Sequence, residues 1–367
     1  MHLADLMQIF IVLLVSLGLY GWYFLGKPIF GQLPKGKRLA RIEQSPNYKG
    51  GSFVNLEHTP NFAPGINTWD AIKSFLHKPK NTEPEKAIPW VETNLKSIEL
   101  NGVKLVWFGH SSYYLIADGL KILVDPVFSG NAAPVKLFGK SFNGTNRVDV
   151  SSFPEIDVLI ITHDHYDHLD YETIQQLKGK FKKIVTSLGV GAHLNDWGIS
   201  DEQIVELDWW ESTEIEKGFS LKAAPARHFS GRKFTNNQSL WSAFILKTPK
   251  HKLFLGGDSG YGKHFKDIGE KEGPFDLALL ECGQYNAMWP YIHMAPEEVV
   301  QASKDLSAKL LLPVHWGKFA LAMHDWNEPI KRLKIAAGIH NQKLTTPVPG
   351  QLFELGKIEP DSIWWEF

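Results

Sequence analysis

The 367-residue chain reads as an α/β protein in which sheets pack together under helices, preceded by one membrane helix. Three features point to that class. No charged residue lies between Asp5 and Lys27, and the run there is long enough for a membrane. After Leu100, short apolar runs separated by turn residues follow one another as strands and hairpins. In the second half, such runs alternate with helical patterns, the order expected of sheets with helices laid over them. With 43% hydrophobic and 22% charged residues, the chain can bury a sizeable core, which excludes a disordered polypeptide.

The amino-terminal element is the plainest. From Ile9 to Leu25 the sequence is IFIVLLVSLGLYGWYFL, and at ~1.5 Å per residue a helix of that length crosses or nearly crosses a bilayer core. A cleaved signal peptide is the rival reading. The anchor is favoured because no Lys or Arg precedes the apolar run and no small-residue cleavage motif follows it. Tyr20, Trp22 and Tyr23 gather at its carboxyl end like an interfacial belt. Lys27, Lys35, Lys37, Arg38 and Arg41 come next, so the positive-inside rule puts that end, and the bulk of the chain behind it, in the cytoplasm. The segments expected are thus a transmembrane anchor over 1–30, an irregular extension over 31–100 and a catalytic domain over 101–367. The extension is rich in Pro, Asn, Gly and Lys and should be pinned to the domain by Trp69, Phe75 and Trp90.

Within the third segment, strands are predicted over Val103 to Phe108, Tyr113 to Ala117 and Lys121 to Val124, with Asp118-Gly119 as the hairpin turn between the last two. Further strands are predicted over Val158 to Ile161, Ile184 to Ser187, Phe219 to Ala224, Trp241 to Lys247, Lys252 to Gly256, Leu277 to Glu281 and Lys309 to Pro313. Helices are predicted over Tyr171 to Leu177, Tyr261 to Ile268, Pro296 to Leu306 and Pro329 to Ala336.

Charge and cysteine content narrow the chemistry. Thirty-nine Lys plus Arg against 40 Asp plus Glu give a net charge of -1, which speaks against a nucleic-acid partner. The one cysteine, Cys282, permits neither an internal disulfide nor a Cys-rich zinc site, so a metal would be held by His and carboxylate. Fifteen histidines are available. Four ligand-type residues crowd into Thr162-His163-Asp164-His165-Tyr166-Asp167-His168, an H-x-H-x-D-H loop directly after an apolar strand. Buried as core filling, each would need its own polar partner; on a loop, His163, His165, Asp167 and His168 can converge as half-shells for two adjacent divalent ions. His228, Asp258, His293 and His315 each stand at the end of a further strand-like run and can complete such a site.

This order of H-x-H-x-D-H, then His, Gly-Asp and His resembles the metallo-beta-lactamase superfamily, whose fold is a four-layer αβ/βα sandwich. More narrowly, Trp107 to Ser112, Asp125 to Ser129, Thr162 to Asp170, Phe254 to Tyr261, Gly273 to Ala278 and His293 through His315 to Leu321 resemble the N-acylphosphatidylethanolamine phospholipase D family. The resemblance covers roughly residues 100 to 340 and leaves the amino-terminal segment outside. It implies two zinc ions, or other divalent ions, held by His163, His165 and His228 on one side and by Asp167, His168 and His315 on the other, with Asp258 bridging. It further implies that Asp258 and Asp167 serve the catalytic centre and that His293 orients the substrate phosphate or protonates the leaving group. Asp125 would stand behind the imidazole ligands; for His110 the same role and a purely structural one are both open. Asp164 occupies a position where the mammalian enzyme of that family has an amide, so the motif does not fix the substrate.

The reaction implied is hydrolysis of a phosphodiester by hydroxide held between two metals. With a membrane phospholipid as partner it yields phosphatidic acid and an N-acylethanolamine. Two alternatives share the residues: a metal-dependent lactonase or other ester or amide hydrolase, and a non-catalytic membrane-tethered metal- or lipid-binding protein. Oligomeric state is left open, a homodimer being compatible.

Overall fold

The computed structural model describes residues 3–367. Thirteen strands form two facing mixed sheets. Seven belong to one: β1 (Val103–Trp107), β2 (Tyr113–Ala117), β3 (Leu120–Val124), β4 (Ile156–Ile161), β5 (Phe181–Ser187), β6 (Ile204–Leu207) and, returning at the carboxyl end, β13 (Leu352–Glu354). Its order is β13-β1-β2-β3-β4-β5-β6, antiparallel as far as β3 and parallel beyond. The other six are β7 (Ser212–Glu216), β8 (Phe219–Pro225), β9 (Ser242–Lys247), β10 (Lys252–Leu255), β11 (Leu277–Glu281) and β12 (Leu311–Val314), lying in the order β12-β11-β10-β9-β8-β7. The helices are α1 (Leu3–Leu25), α2 (Gly36–Glu43), α3 (Thr68–Leu76), α4 (Tyr171–Leu177), α5 (Gly191–Asp196), α6 (His264–Glu272), α7 (Pro296–Asp305) and α8 (Glu328–Ile339).

Successive side chains of a strand point to opposite faces, and here both faces of the central strands are covered, which is why those strands are mostly apolar. Val103, Leu105 and Trp107 of β1 enter the core between the sheets and join Leu221, Phe244, Leu253 and Leu279 of the facing sheet. Val106 of the same strand joins Ile116, Leu123, Leu159 and Ile161 in a second core, closed by Ile174 and Leu177 of α4 and Leu194 of α5. Phe265 and Ile268 of α6, Val299 and Val300 of α7 and Leu333 of α8 cover the other outer face. The result is the expected sequence of layers: helices, sheet, sheet, helices. The Asp118-Gly119 turn forms as predicted, with Ala117 paired to Leu120 and both turn residues at positive φ (51° and 109°), the geometry of a two-residue hairpin.

Some elements depart from expectation. β6, β7 and β13 are short edge or near-edge strands, and β7 alternates exposed residues with half-buried ones, leaving no apolar run to find. The helix expected from Tyr261 starts at His264, with Lys263 as its N-cap. The 31–100 stretch is not wholly irregular, since it holds α2 and α3. A capping box starts α3: Asn67 Oδ1 accepts from Trp69 N (2.8 Å) and Asp70 Oδ2 accepts from Asn67 N (2.9 Å). Ile42 and Phe53 bury against Trp209 and Trp241, and Ile88 reaches the core between the sheets. Phe75 stacks on Trp289 and Trp90 on Phe108, but Trp69 is 78% exposed and pins nothing. α1 has no part of its most apolar window buried, so it is not a core helix; over Asp5–Leu25 it has the length and composition of a candidate membrane span.

Beneath the site one buried charge is costly. Lys318 lies wholly buried between Phe128 and Phe319, and its Nζ donates to Val127 O at 2.8 Å. Burial, partly offset by Asp170, pushes its pKa down from 10.5 to about 7. Below pH ~7 the amine is charged in both folded and unfolded chains and its burial penalty is complete. Between pH ~7 and ~10 the unfolded chain binds more protons, so stability rises with pH across that window. Lys318→Met, which removes the charge and leaves one carbonyl unpaired, is expected to stabilise the fold by on the order of 2 kcal/mol at pH 6 and by little at pH 10. Thermal denaturation at the two pH values checks this; an equal gain at both would contradict it.

Candidate metal centre

The ends of the central strands bring the predicted ligands together. His163, His165, Asp167 and His168 follow β4; His228 follows β8, Asp258 follows β10 and His315 follows β12. The turns that present them are strained in places: His110, Asp125 and His315 are non-glycine residues at positive φ (53°, 39° and 65°), a conformation that costs about 1–3 kcal/mol each unless the surroundings enforce it.

Two groups of side chains result. In the first, His163 Nε2 lies 2.9 Å from His165 Nδ1, which is 3.3 Å from His228 Nε2. The second joins Asp167, His168 and His315, with Asp167 Oδ2 at 3.6 Å from His168 Nε2 and 3.5 Å from His315 Nε2. Asp258 stands between them. Its Oδ1 is 3.2 Å from His168 Nε2, while Oδ2 is 3.0 Å from His315 Nε2, 3.7 Å from His228 Nε2 and 4.0 Å from His163 Nε2.

What lies behind each imidazole decides which nitrogen faces inward. His228 Nδ1 donates to Ile292 O (2.9 Å), and His168 Nδ1 to Asp125 Oδ2 (2.8 Å). Thr162 Oγ1, which itself donates to Asp125 Oδ2 (2.7 Å), accepts from His163 Nδ1 (3.0 Å). In all three rings Nε2 is therefore the nitrogen turned into the cluster. His168 Nε2, His315 Nε2 and Asp258 Oδ1 are buried yet have no hydrogen-bond partner. Buried polar atoms without partners are rare, and here they converge on common points. At a tetrahedral ion with ~2.0–2.1 Å bonds, ligand nitrogens stand about 3.3 Å apart, close to the spacings of the first group. The donor set fits one divalent ion in each group.

Electrostatics agree. Burial holds the imidazoles of His163 and His228 neutral, far below their usual range, and lowers His165 as well, which keeps their lone pairs available. In the second group burial is overcome: Asp258, Asp167 and Asp125 raise His168 to about 10, and Asp258 raises His315 strongly. Asp167 and Asp258 are held ionised by the same pairing. The carboxylates thus create a demand for cations that the side chains meet only by protonating imidazoles, and metal binding would displace those protons.

The remaining predicted residues divide. His110, wholly buried, is held neutral at about 3 and sits 3.0 Å through Nε2 from Asp167 Oδ2, so it steadies that carboxylate. Asp125 stands behind His168, as the resemblance implied. His293 lies at the mouth of the cluster, with Nδ1 donating to Glu281 Oε2 (2.8 Å). Asp164 turns away: it accepts from Gly231 N (2.7 Å) and Ser239 Oγ (2.7 Å) and lies 3.2 Å from His193 Nε2, tying the loop to its neighbours.

Two contributors were not predicted. Glu281, buried at the end of β11, backs two histidines at once, with Oε2 also 3.3 Å from His315 Nδ1 and Oε1 accepting from Met294 N (2.7 Å). Its only trace in the sequence is an acid closing the apolar run Leu277-Ala278-Leu279-Leu280. Asn55 of the extension clasps the His228 backbone, donating to its carbonyl (2.7 Å) and accepting from its amide (3.1 Å). Further along, Phe62 and Phe75 of the extension, with Phe229, Trp289, Ile292 and Leu321, wall a groove of about 490 Å³ that opens over His165, Asp258, His293 and His315.

The sequence profile of the Beta-lactamase superfamily domain matches residues 121–316, a span that contains both groups of ligands. An uncharacterized protein of Mycobacterium tuberculosis is 40% identical over 337 residues, 88% of either chain. The mitochondrial N-acyl-phosphatidylethanolamine-hydrolyzing phospholipase D of Saccharomyces cerevisiae is 35% identical over 263 residues, 69% of this chain and 55% of the yeast protein. A metallo hydrolase of the archaeon Ignicoccus hospitalis shares the fold, with a TM-score of 0.54 at 22% identity over 69% of this chain and 98% of its own. With its layers, its strand-end cluster and this match in place, the chain belongs to the beta-lactamase superfamily and is a metal-dependent hydrolase of the metallo-beta-lactamase fold.

Proposed function

We propose that the protein is a phospholipase D-type phosphodiesterase that hydrolyses N-acylphosphatidylethanolamine, or a related membrane phospholipid, at a centre of two zinc-like ions. The observation that carries this reading is Asp258, whose carboxylate reaches imidazoles of both groups at the floor of an apolar groove. His163, His165 and His228 would hold one ion, Asp167, His168 and His315 the other, and Asp258 both. When bound, such ions polarise phosphoryl oxygens and make a hydroxide available at neutral pH. The chain's own residues do the rest. Asp125, Glu281 and His110 fix the rings and carboxylates, so little reorganisation is needed as charge develops. His293, oriented by Glu281, has its Nε2 left for the substrate phosphate or the departing alkoxide. Phe62, Phe75 and Trp289 offer apolar contact to acyl chains and keep water from the reacting phosphate.

A lipid is favoured over a soluble ester by that apolar wall, by the candidate span α1, read here as a single-pass anchor that leaves the domain in the cytoplasm, and by the activity named for the yeast relative. The test is a substrate panel. Full-length, metal-replete protein is offered N-acylphosphatidylethanolamine in mixed micelles, a lactone and a beta-lactam, and its metal content is measured alongside. Turnover of the phosphodiester with more than one equivalent of metal per chain is expected; preferred turnover of the lactone or the lactam would overturn the reading.

A further inference from the structure

We infer that the hairpin Gly231–Asn236 is a second membrane contact, seating Phe234 in the interfacial zone of the bilayer beside the mouth of the groove. The inference rests on reading α1 as a membrane anchor. Gly231 pairs with Asn236 and Arg232 with Thr235, so Lys233 and Phe234 form the tip. Phe234 is 87% exposed, the most exposed large apolar side chain among the described residues. A single exposed phenylalanine needs no explanation by itself, but this one sits on a rigid base. Arg232, buried under the hairpin, donates through Nη1 to Asp164 O (2.7 Å) and Leu169 O (2.9 Å), and its guanidinium lies 4.0 Å from the centre of the Tyr166 ring. The tip is therefore held out into solvent by the same loop that carries the metal ligands.

The base also joins the membrane helix. Arg232 Nη2 donates to Ile29 O (2.6 Å), four residues beyond the end of α1 at Leu25. Phe30 connects the two sides, 5.2 Å from the Phe24 ring of α1 and 6.3 Å from Tyr166, with the Lys233 ammonium 5.8 Å over its own ring. Trp197 Nε1 holds Pro28 O (2.7 Å), so the connection from helix to domain is fixed. A bilayer spanned by α1 has its headgroup zone near Tyr20, Trp22, Tyr23 and Lys27, and the hairpin tip stands next to that level. Phe234 would enter the interface while Lys233 and Lys27 meet anionic headgroups. On the opposite side Asn236 lines the groove, so the seated hairpin would bring its mouth against the lipid.

Cys282, the one native cysteine, is buried, so Phe234→Cys in the full chain can be labelled selectively with an environment-sensitive fluorophore. The protein is reconstituted into phosphatidylcholine and phosphatidylglycerol vesicles, with Lys217→Cys, on an exposed turn, as the reference site. The expected result is a blue-shifted emission at position 234, quenched severalfold more strongly by shallow nitroxide lipids than at 217. In parallel, Phe234→Ser should slow hydrolysis of vesicle phospholipid severalfold while leaving a small water-soluble phosphodiester turned over at the wild-type rate. A chain that floats with vesicles while position 234 stays aqueous overturns the hairpin contact and leaves the proposed activity standing. A chain that does not float removes the anchor on which the contact rests. A blue shift that appears without vesicles and grows with protein concentration assigns the tip to a second copy instead.

Discussion

Asp258→Asn is expected to lower turnover by two or more orders of magnitude and to weaken the second metal. The amide keeps nearly the same volume but removes the negative charge that lies within reach of His168, His315 and His228. Loss of one preorganised electrostatic element commonly costs on the order of 3 kcal/mol in the transition state, about a hundredfold in rate. Metal stoichiometry and phosphodiester turnover measured on one preparation check the two effects together. If both metals and a near wild-type rate survive, Asp258 does not bridge.

His293→Ala separates chemistry from metal binding. Its Nδ1 is engaged by Glu281, and the residue lines the groove. The variant should keep its metal while kcat falls by roughly 10²- to 10⁴-fold, the usual scale for removing a positioned acid or an orienting group. A nitrogen of His293 also comes within reach of His228 and Asp258, which gives the alternative a definite form. If the alanine variant loses metal, His293 is a ligand and the division of roles fails.

The separate roles given to those two residues come from the family resemblance, whereas the cluster itself was legible in the sequence for a local reason. Side chains that one loop delivers to a common cluster stand close together in the sequence, as His163, His165, Asp167 and His168 do. The distant members of the cluster, His228, Asp258 and His315, were legible because each closely follows an apolar run, where a strand delivers a side chain to the edge of the sheet. Glu281 ends such a run too, but an acid there also reads as an ordinary strand terminus, and nothing local says that two histidines from other loops come to rest on it. Asn55 and Phe62 were hidden more deeply. Their roles depend on the extension folding back over the domain, a long-range event that leaves no periodicity. The Asn67 to Asp70 capping box was a readable sign of α3, outweighed by the surrounding Pro and Gly. Trp69 misled in the opposite direction: its size suggested burial, whereas α3 turns Ala71 inward and leaves the indole outside.

The most direct test of the account follows the oxygen. Full-length, metal-replete protein hydrolyses N-acylphosphatidylethanolamine in water enriched in heavy oxygen, and the products are separated and weighed by mass spectrometry. Attack at phosphorus places the heavy atom in the phosphate of phosphatidic acid and leaves the N-acylethanolamine unlabelled. A label found instead in a released fatty acid would show attack at a carbonyl and contradict the phosphodiesterase assignment.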